Sequence, residues 1–128
     1  MVKKKRSTKS PYRSKFEAKF AELMKKHNAK YEPFKIKYKV PESIHNYTPD
    51  FVIDNVIYEF KGRWTRADRQ KILYIQSQCK DYKLIMVFQN SKLPINKGSK
   101  TTYEDFCIKH NIRFMRAEDL PLYLCTLD

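Results

Sequence analysis

Glycine, cysteine and long apolar runs are scarce in this sequence, and each scarcity excludes a class of protein. Only 2 of the 128 residues are glycine, which leaves no glycine-rich loop to cradle the phosphates of a nucleotide cofactor. The three cysteines, Cys79, Cys107 and Cys125, are far apart and form no Cys-x-x-Cys or Cys/His pair. A disulfide framework or a structural zinc site is therefore not expected, and a reducing cytoplasm is the simplest location.

No apolar run approaches the ~18 residues of a membrane span. The lysine-rich start of the chain contains no apolar segment of the kind found in secretory signals. Hydrophobic residues make up 41% of the sequence, and its length fits one domain, so we expect a single packed core. We expect neither a membrane nor a small-molecule cofactor as a partner.

Acidic residues are also few, 14 against 27 Lys and Arg, which gives a formal charge of +13. Residues 101–128 carry a net charge of −2, so the positive excess lies in residues 1–100. Nucleic acid is the leading expected partner. An anionic membrane surface is a remote second, because the lysines of residues 34–40 alternate along a strand and do not line an amphipathic helix. Residues 1–13 are predicted to form a flexible basic arm, and residues 14–128 form the single domain. The arm is a solubilising tail, a localisation signal if the host is eukaryotic, or a segment that lies on phosphates.

The hydrophobic pattern predicts an α/β fold, with a mixed central sheet flanked by helices in the order αβββαβαβ. Ser14 is a candidate N-cap for the first helix, whose stripe contains Phe16, Phe20, Leu23 and His27. The proline-bounded segment from Pro41 to Pro49 is expected to be an extended connector. The predicted elements are a helix over 14–27, strands over 34–40, 50–53 and 56–61, a helix over 66–80, a strand over 84–88, a helix from 101 or 102 to about 110 and a strand over 112–114.

The most informative spacing joins Asp50 to Glu59 and Lys61. If Asp54 and Asn55 form a two-residue hairpin turn, opposed residues have numbers that sum to 109, which places Asp50 opposite Glu59. Their Cβ atoms would then lie roughly 5 Å apart on one face, and Lys61 would project from the same face. Two such close carboxylates require a compensating positive charge, either Lys61 or a divalent cation.

Two carboxylates and a main-chain carbonyl form a hard oxygen site suited to Mg²⁺ or Mn²⁺. A cation there could polarise a phosphate and lower the pKa of a bound water, while Lys61 orients that water. The alternative is a surface salt bridge between Glu59 and Lys61. Glu17 also has two readings, because its carboxylate can close a capping box with Ser14 or point into the sheet toward the metal site.

Several blocks of the sequence resemble, in the same order, the endonuclease I family of T-odd phages, which are Holliday-junction resolvases of the PD-(D/E)xK nuclease superfamily. The resemblance covers about residues 12–116. The blocks are Tyr12-Arg-Ser-Lys-Phe-Glu17, Tyr47-Thr-Pro-Asp-Phe51, Tyr58-Glu-Phe-Lys-Gly62, Ile85-Met-Val-Phe88, Lys97-Gly-Ser99 and Tyr103-Glu-Asp-Phe-Cys-Ile-Lys-His110.

This resemblance implies a restriction-endonuclease-like fold and a Mg²⁺-dependent enzyme, with Mn²⁺ as a substitute, that cuts branched double-stranded DNA by paired nicks. The implied catalytic residues are Glu17, Asp50, Glu59 and Lys61, with Asp50, Glu59 and the Phe60 carbonyl as metal ligands. It further implies a domain-swapped homodimer, in which residues 14–40 cross to the partner through a bridge at 40–47. The cytoplasm of a phage-infected or bacterial cell is the implied location.

Phosphate contacts are expected from exposed cations along the chain. The predicted DNA-binding residues are Lys5, Arg6, Arg13, Lys15, Lys35, Lys37, Arg63, Arg66, Arg69, Lys97 and Lys100. Two alternatives remain open at this point: a sequence-specific endonuclease of the same fold, as in homing, restriction or transposon systems, and a non-catalytic junction-binding protein. The apolar, acidic C-terminal segment is expected to pack on the core.

Overall fold

The computed structural model describes residues 12–127 and has a mixed α/β architecture, as predicted. The elements, numbered here in chain order, are α1 (Lys15–Lys26), β1 (Lys30–Tyr31), β2 (Ile36–Val40), β3 (Ser43–Tyr47), β4 (Phe51–Ile53), β5 (Val56–Lys61), α2 (Arg66–Gln78), β6 (Lys83–Phe88), α3 (Tyr103–Lys109), β7 (Arg113–Arg116), a short 3-10 turn (Ala117–Asp119) and α4 (Leu120–Cys125). None of the helices within these residues has the length and hydrophobicity needed to span a bilayer.

Five strands form the main sheet in the order β1-β4-β5-β6-β7. The β1–β4 and β4–β5 pairs are antiparallel, and the β5–β6 and β6–β7 pairs are parallel. Residues 85–88 of β6 are all buried, which explains why this segment reads as a continuous apolar run rather than an alternating one. Capping boxes at Thr65 and Thr102 begin α2 and α3, so both helices start within a residue or two of the predicted positions.

Helix α1 begins after Ser14, whose hydroxyl accepts the Glu17 N–H, as expected. Its most buried residues are Glu17, Ala21 and Met24, at positions i, i+4 and i+7. The predicted apolar stripe lies one position away and is only partly buried. The inward face of α1 therefore carries a carboxylate, which positions Glu17 over the sheet.

The predicted connector between Pro41 and Pro49 is wrong in part, because β3 folds back on β2 as an antiparallel hairpin. Most of the bridge expected at 40–47 is thus β3, which pairs with β2 of the same chain in a two-stranded sheet. Sequence alone did not reveal β3, because four of its five residues are exposed and its side chains show no apolar alternation. The strand β1 and helix α4 were also missed, since two and six residues are too few to establish a period.

The C-terminal segment packs on the core, as expected. Leu120 and Leu124 of α4 are fully buried in the same cluster as Met24, Phe51 and Phe60. This cluster fills the space beneath α1 and holds β4 and β5 in place. The end of the β4–β5 hairpin that lies away from its turn is therefore anchored from below by packed aromatic and aliphatic side chains.

Candidate active site

Asp50 and Glu59 face each other at the end of the β4–β5 hairpin away from its turn. The hairpin pairs Phe51 with Tyr58, which is the predicted register, and Asp50 and Glu59 are the next opposed positions. The Phe60 N–H donates to Asp50 Oδ2 at 2.9 Å, and the Asp50 N–H donates to Glu59 Oε1 at 3.3 Å. Both acids are buried, each with 6% of the residue exposed, so neither is a solvated surface group.

Glu17 projects from α1 toward the same place and is 5% exposed. Its Oε1 accepts the Tyr31 hydroxyl and the Arg13 N–H, each at 3.2 Å. The carboxylate thus does not return to the Ser14 N–H, and only half of a capping box is present. Of the two readings of Glu17, the structure favours the one in which the side chain points into the sheet.

A fourth acid, Glu32, joins this group and was not expected from the sequence. One carboxylate oxygen from each of Glu17, Glu32 and Asp50 lies within 4.8 Å of the others. The Glu32 N–H donates to the Asp50 carbonyl at 2.9 Å, and its carboxylate accepts from Arg13 Nε at 2.7 Å. Glu32 follows β1, a strand too short to read from the sequence, so no pattern placed it beside Asp50.

Burial raises the pKa values of Asp50 and Glu59 and makes these two acids hard to ionise. Burial raises the pKa of Asp50 to about 9, and the neighbouring Glu59 and Glu17 act in the same direction. Burial also raises the pKa of Glu59, although the Tyr47 hydroxyl and the Lys61 charge oppose that rise. Carboxylates with pKa values raised in this way at a cleft mark a candidate functional site.

The Tyr47 hydroxyl donates to Glu59 Oε1 at 2.6 Å, and the tyrosine is 1% exposed. Burial and the charge of Glu59 raise the pKa of Tyr47 well above its ordinary value, so the phenol keeps its proton and remains a donor. Tyr47 opens one of the sequence blocks described above, but no role was predicted for it. Its position three residues before Asp50 was the signal available.

Lys61 lies two residues beyond Glu59 on β5 and is partly exposed. Its Nζ is 3.7 Å from Asp68 Oδ1 in the first turn of α2, so its ion pair among the described residues is with Asp68 and not with Glu59. The alternative of a surface salt bridge between Glu59 and Lys61 is therefore not favoured. A second lysine, Lys71 of α2, lies 5.3 Å from the centre of the Tyr47 ring.

Glu17, Asp50 and Glu59 line one open cleft of about 650 Å³, referred to below as the acid cleft. Glu32 is not among its lining residues, and several of the other lining residues are cationic. The lining residues are Arg13, Ser14, Phe16, Glu17, Asn46, Thr48, Asp50, Glu59, Phe60, Lys61, Gly62, Arg63, Lys71 and Gln89. A cleft that combines central carboxylates with surrounding cations can hold a metal ion and a polyanion together.

The predicted DNA-binding residues are spread over several surfaces. Arg13 and Arg63 line the acid cleft, while Arg63, Arg66 and Lys97 line a second cavity. The remaining lysines within the described part of the chain, Lys15, Lys35, Lys37 and Lys100, are exposed, and Lys5 and Arg6 lie outside the described residues.

Arg69 differs from the exposed position that a direct phosphate contact requires. It is 4% exposed, and its Nη1 donates to the carbonyls of Trp64 and Ile95 at 2.9 and 3.1 Å. The physical reason is its place on α2, three residues before the buried Ile72. That spacing in the sequence could have indicated burial.

Comparisons with known proteins agree with the geometry. The sequence model of the phage endonuclease I family matches residues 1–120. Endonuclease I of Escherichia phage T7 is 45% identical over 85 residues, which are 66% of this chain and 57% of that protein. Endodeoxyribonuclease 1 of Enterobacteria phage T3 is 45% identical over 85 residues, 66% of this chain and 56% of that protein. The matched segment thus spans a little more than half the length of each relative.

Proposed function

The chain belongs to the phage endonuclease I family, and from this premise we propose that it is a metal-dependent endodeoxyribonuclease that resolves four-way and other branched DNA junctions by paired nicks. The observation that carries the proposal is the buried, opposed pair of Asp50 and Glu59 in a cleft ringed by cations. A protein that only binds phosphate has no use for two opposed acids. The named relatives support DNA hydrolysis as the reaction.

The donor set fits a hard divalent cation such as Mg²⁺, with Mn²⁺ as a substitute. Asp50 and Glu59 supply carboxylate oxygens, and the main-chain carbonyl of Phe60 lies between Glu59 and Lys61. The raised pKa of Asp50 is that of an acid without a sufficient positive partner in the protein itself. When bound, the cation supplies Lewis acidity to the phosphodiester and lowers the pKa of a bound water.

The other side chains in and beside the acid cleft have separate roles in this proposal. Tyr47 fixes the orientation of Glu59 through the buried hydrogen bond, and Glu17 adds a third acid that faces Asp50. Lys61 lies beside the acids, where its ammonium can orient a water and stabilise negative charge that develops on the phosphate. Arg13 and Arg63 line the cleft and can bind the flanking phosphates of the strand.

A swapped homodimer is part of the proposal, and the β2–β3 hairpin supports it. Every pair in the hairpin, from Ile36 opposite Tyr47 inward to the turn at Pro41 and Glu42, has numbers with the same sum. Two chains that opened at the turn would therefore form the same pairs with each other about a two-fold axis. Glu42 has a φ of 66°, which opening would relieve.

In such a dimer residues 14–40 cross to the partner, so Glu17 of one chain joins Asp50, Glu59 and Lys61 of the other. Mixing Glu17→Gln protein with Asp50→Asn protein, after unfolding and refolding together, tests this arrangement. Swapped heterodimers have one intact site and one doubly altered site, so activity should return. If the mixture stayed inactive although heterodimers formed, each site would be built from a single chain.

The central experiment compares cleavage of a four-way junction, a matched linear duplex and a single strand with Mg²⁺. We expect paired nicks on the junction alone, lost in Glu59→Gln and retained in Glu118→Gln, which removes an exposed acid outside the cleft. Cutting of the linear duplex at one sequence would instead indicate a site-specific endonuclease. Tight junction binding without cleavage would leave a non-catalytic junction-binding protein. We place the activity in the cytoplasm of an infected host, by analogy with the phage relatives.

A further inference from the structure

A second cavity, of about 310 Å³, lies between the start of α2 and the loop after β6. It adjoins the acid cleft, because Arg63 lines both. No acidic residue is among those that line it, whereas three acids line the acid cleft. Its lining residues, which define the basic cavity below, are Arg63, Trp64, Thr65, Arg66, Pro94, Ile95, Asn96, Lys97 and Tyr103.

Three exposed cations surround the basic cavity without a neutralising partner. Arg63, Arg66 and Lys97 form no ion pair with any residue in the range 12–127. Other cations of the protein do, as Arg13 pairs with Glu32 and Lys61 with Asp68. Many other exposed cations also lack an ion pair within these residues, so what distinguishes this cavity is that three cations and no acid line it.

A buried guanidinium adds to this positive charge and holds the two walls of the cavity together. Arg69 Nη1 donates both to the Trp64 carbonyl on one wall and to the Ile95 carbonyl on the other. Arg69 is 4% exposed and has no acid within ion-pair distance among the described residues. A buried cation without an acid partner is unfavourable, and an anion in the adjacent cavity would reduce that penalty.

The cavity walls are rigid. Trp64 and Tyr103 are 1% and 5% exposed, and their rings meet edge to face with centroids 5.8 Å apart. The Tyr103 hydroxyl accepts a hydrogen bond from the backbone N–H of Trp64 at 3.0 Å, which ties the start of α2 to α3. The Pro94–Thr102 bridge fixes the opposite loop. A fixed wall loses little conformational entropy when a ligand binds.

We propose that the basic cavity is a binding site for one backbone phosphate of DNA, held by Arg66 and Lys97 while Arg63 spans the distance to the strand in the acid cleft. The site positions the strand and takes no part in the chemistry. This inference rests on the proposed function, because continuity with the acid cleft through Arg63 is what favours a DNA phosphate over a free anion. The phosphate held in the basic cavity is one that lies next to the cleavage position.

The test combines protein variants with neutral phosphates in the DNA. Junctions that each carry a single methylphosphonate near the crossover are titrated, in EDTA, with the natural protein, with Arg66→Gln/Lys97→Gln and with Lys109→Gln. Lys109 is an exposed cation at the end of α3 outside both cavities, which makes it the matched control. All three side chains are exposed, so the variants should fold, and circular dichroism checks this.

We expect one methylphosphonate position to weaken binding of the natural protein and of Lys109→Gln about tenfold, as removal of a charge-assisted hydrogen bond implies. That position should have no effect on the double variant. The salt dependence gives a second readout, since the slope of log K against log salt should flatten by about 0.9 when one phosphate is no longer neutralised. Lys109→Gln should leave the slope unchanged.

Several outcomes would overturn the inference. Equal sensitivity of all methylphosphonate positions in every variant would mean a diffuse field rather than a site. Inorganic phosphate at millimolar concentration could instead compete with the junction for the natural protein and not for the double variant. If no methylphosphonate position then distinguished the two proteins, the cavity would be a site for a free anion. The natural protein could also show the expected methylphosphonate effect and yet fail to cleave the junction. That result would support the phosphate site and contradict the nuclease proposal, so the two failures are distinguishable.

Discussion

Asp50 in the acid cleft and Glu104 at the start of α3 are both largely withdrawn from water, but their neighbours differ. Glu104 accepts from the Ser91 hydroxyl and from Arg116 Nη2 at 2.9 Å, and Lys92 Nζ is 3.5 Å away. These contacts lower the pKa of Glu104, with the Ser91 hydrogen bond as the largest cause. Burial and two neighbouring acids instead raise the pKa of Asp50 to about 9.

The difference distinguishes a carboxylate that stabilises the fold from one that, under the proposed function, binds a metal ion. Glu104 ties α3 to the loop after β6 and to β7, and its charge is satisfied within the protein. The Asp50 carboxylate accepts one backbone N–H and otherwise faces the acids Glu59, Glu17 and Glu32. An unfavourable cluster of this kind persists because the surrounding β-hairpin over-determines it, and bound metal would reverse the penalty.

The largest expected effect separates two lysines that both pair with an acid. Lys61→Ala should lower the single-turnover cleavage rate about 10²–10³-fold, the range for losing a group that stabilises charge developing in the transition state. Lys92→Ala removes a comparable ion pair with Glu104 and should leave the rate within about twofold. Rates are measured at saturating protein with Mg²⁺. Similar losses in both variants would mean that Lys61 acts only through its ion pair with Asp68.

A smaller effect, on metal affinity, is expected to separate two hydroxyls that each donate a hydrogen bond to a carboxylate. Tyr47→Phe removes the donor to Glu59 and should weaken Mg²⁺ or Mn²⁺ binding about 10–100-fold, as for other groups that orient a metal ligand. The cleavage rate should largely recover at high Mg²⁺ concentration. Ser91→Ala removes the donor to Glu104 and should leave metal affinity unchanged. Calorimetric titration with the metal measures the affinity of both variants. Unchanged metal affinity in Tyr47→Phe would show that Tyr47 does not orient a metal ligand.

The register of the acid pair could be predicted because a two-residue turn fixes it without reference to the rest of the fold. Asp54, with a φ of 54°, adopts the conformation such a turn requires, and the opposed positions follow from it. Glu17 could be placed only on the edge of a helix stripe. The direction of the Glu17 side chain depends on hydrogen bonds from the Tyr31 hydroxyl and the Arg13 N–H, and the tertiary fold sets these contacts.

Other features could not be read from the sequence for physical reasons. The strand β3 is stabilised by pairing with β2 rather than by burial, so it leaves no hydrophobic period. Glu32 reaches Asp50 through a two-residue strand that has no period at all. The spacing of Arg69 from Ile72 could have indicated its burial, but not its two acceptors, because only the tertiary fold brings the Trp64 and Ile95 carbonyls together.

The smallest effect concerns stability in the absence of metal, and it should have opposite signs at the two sites. The folded protein retains the Asp50 proton up to about pH 9, while an unfolded chain releases it near the ordinary value of 3.8. The folded state therefore binds more protons between these values, and its stability falls as pH rises through that window. Asp50→Asn removes this dependence and should raise the free energy of unfolding by about 1–3 kcal/mol at pH 7 in EDTA.

Glu104→Gln should do the reverse and lower the free energy of unfolding by less than about 1 kcal/mol at pH 7, because it removes the charge that pairs with Arg116, whose side chain is 43% exposed and therefore screened by solvent. The lowered pKa of Glu104 means that its contribution is present above its ordinary pKa and is lost as the pH falls through the folded value. Both differences should shrink near pH 4. Urea denaturation at pH 4, 5.5 and 7 measures them, and destabilisation by Asp50→Asn at pH 7 would show that the acid cleft is satisfied without a cation.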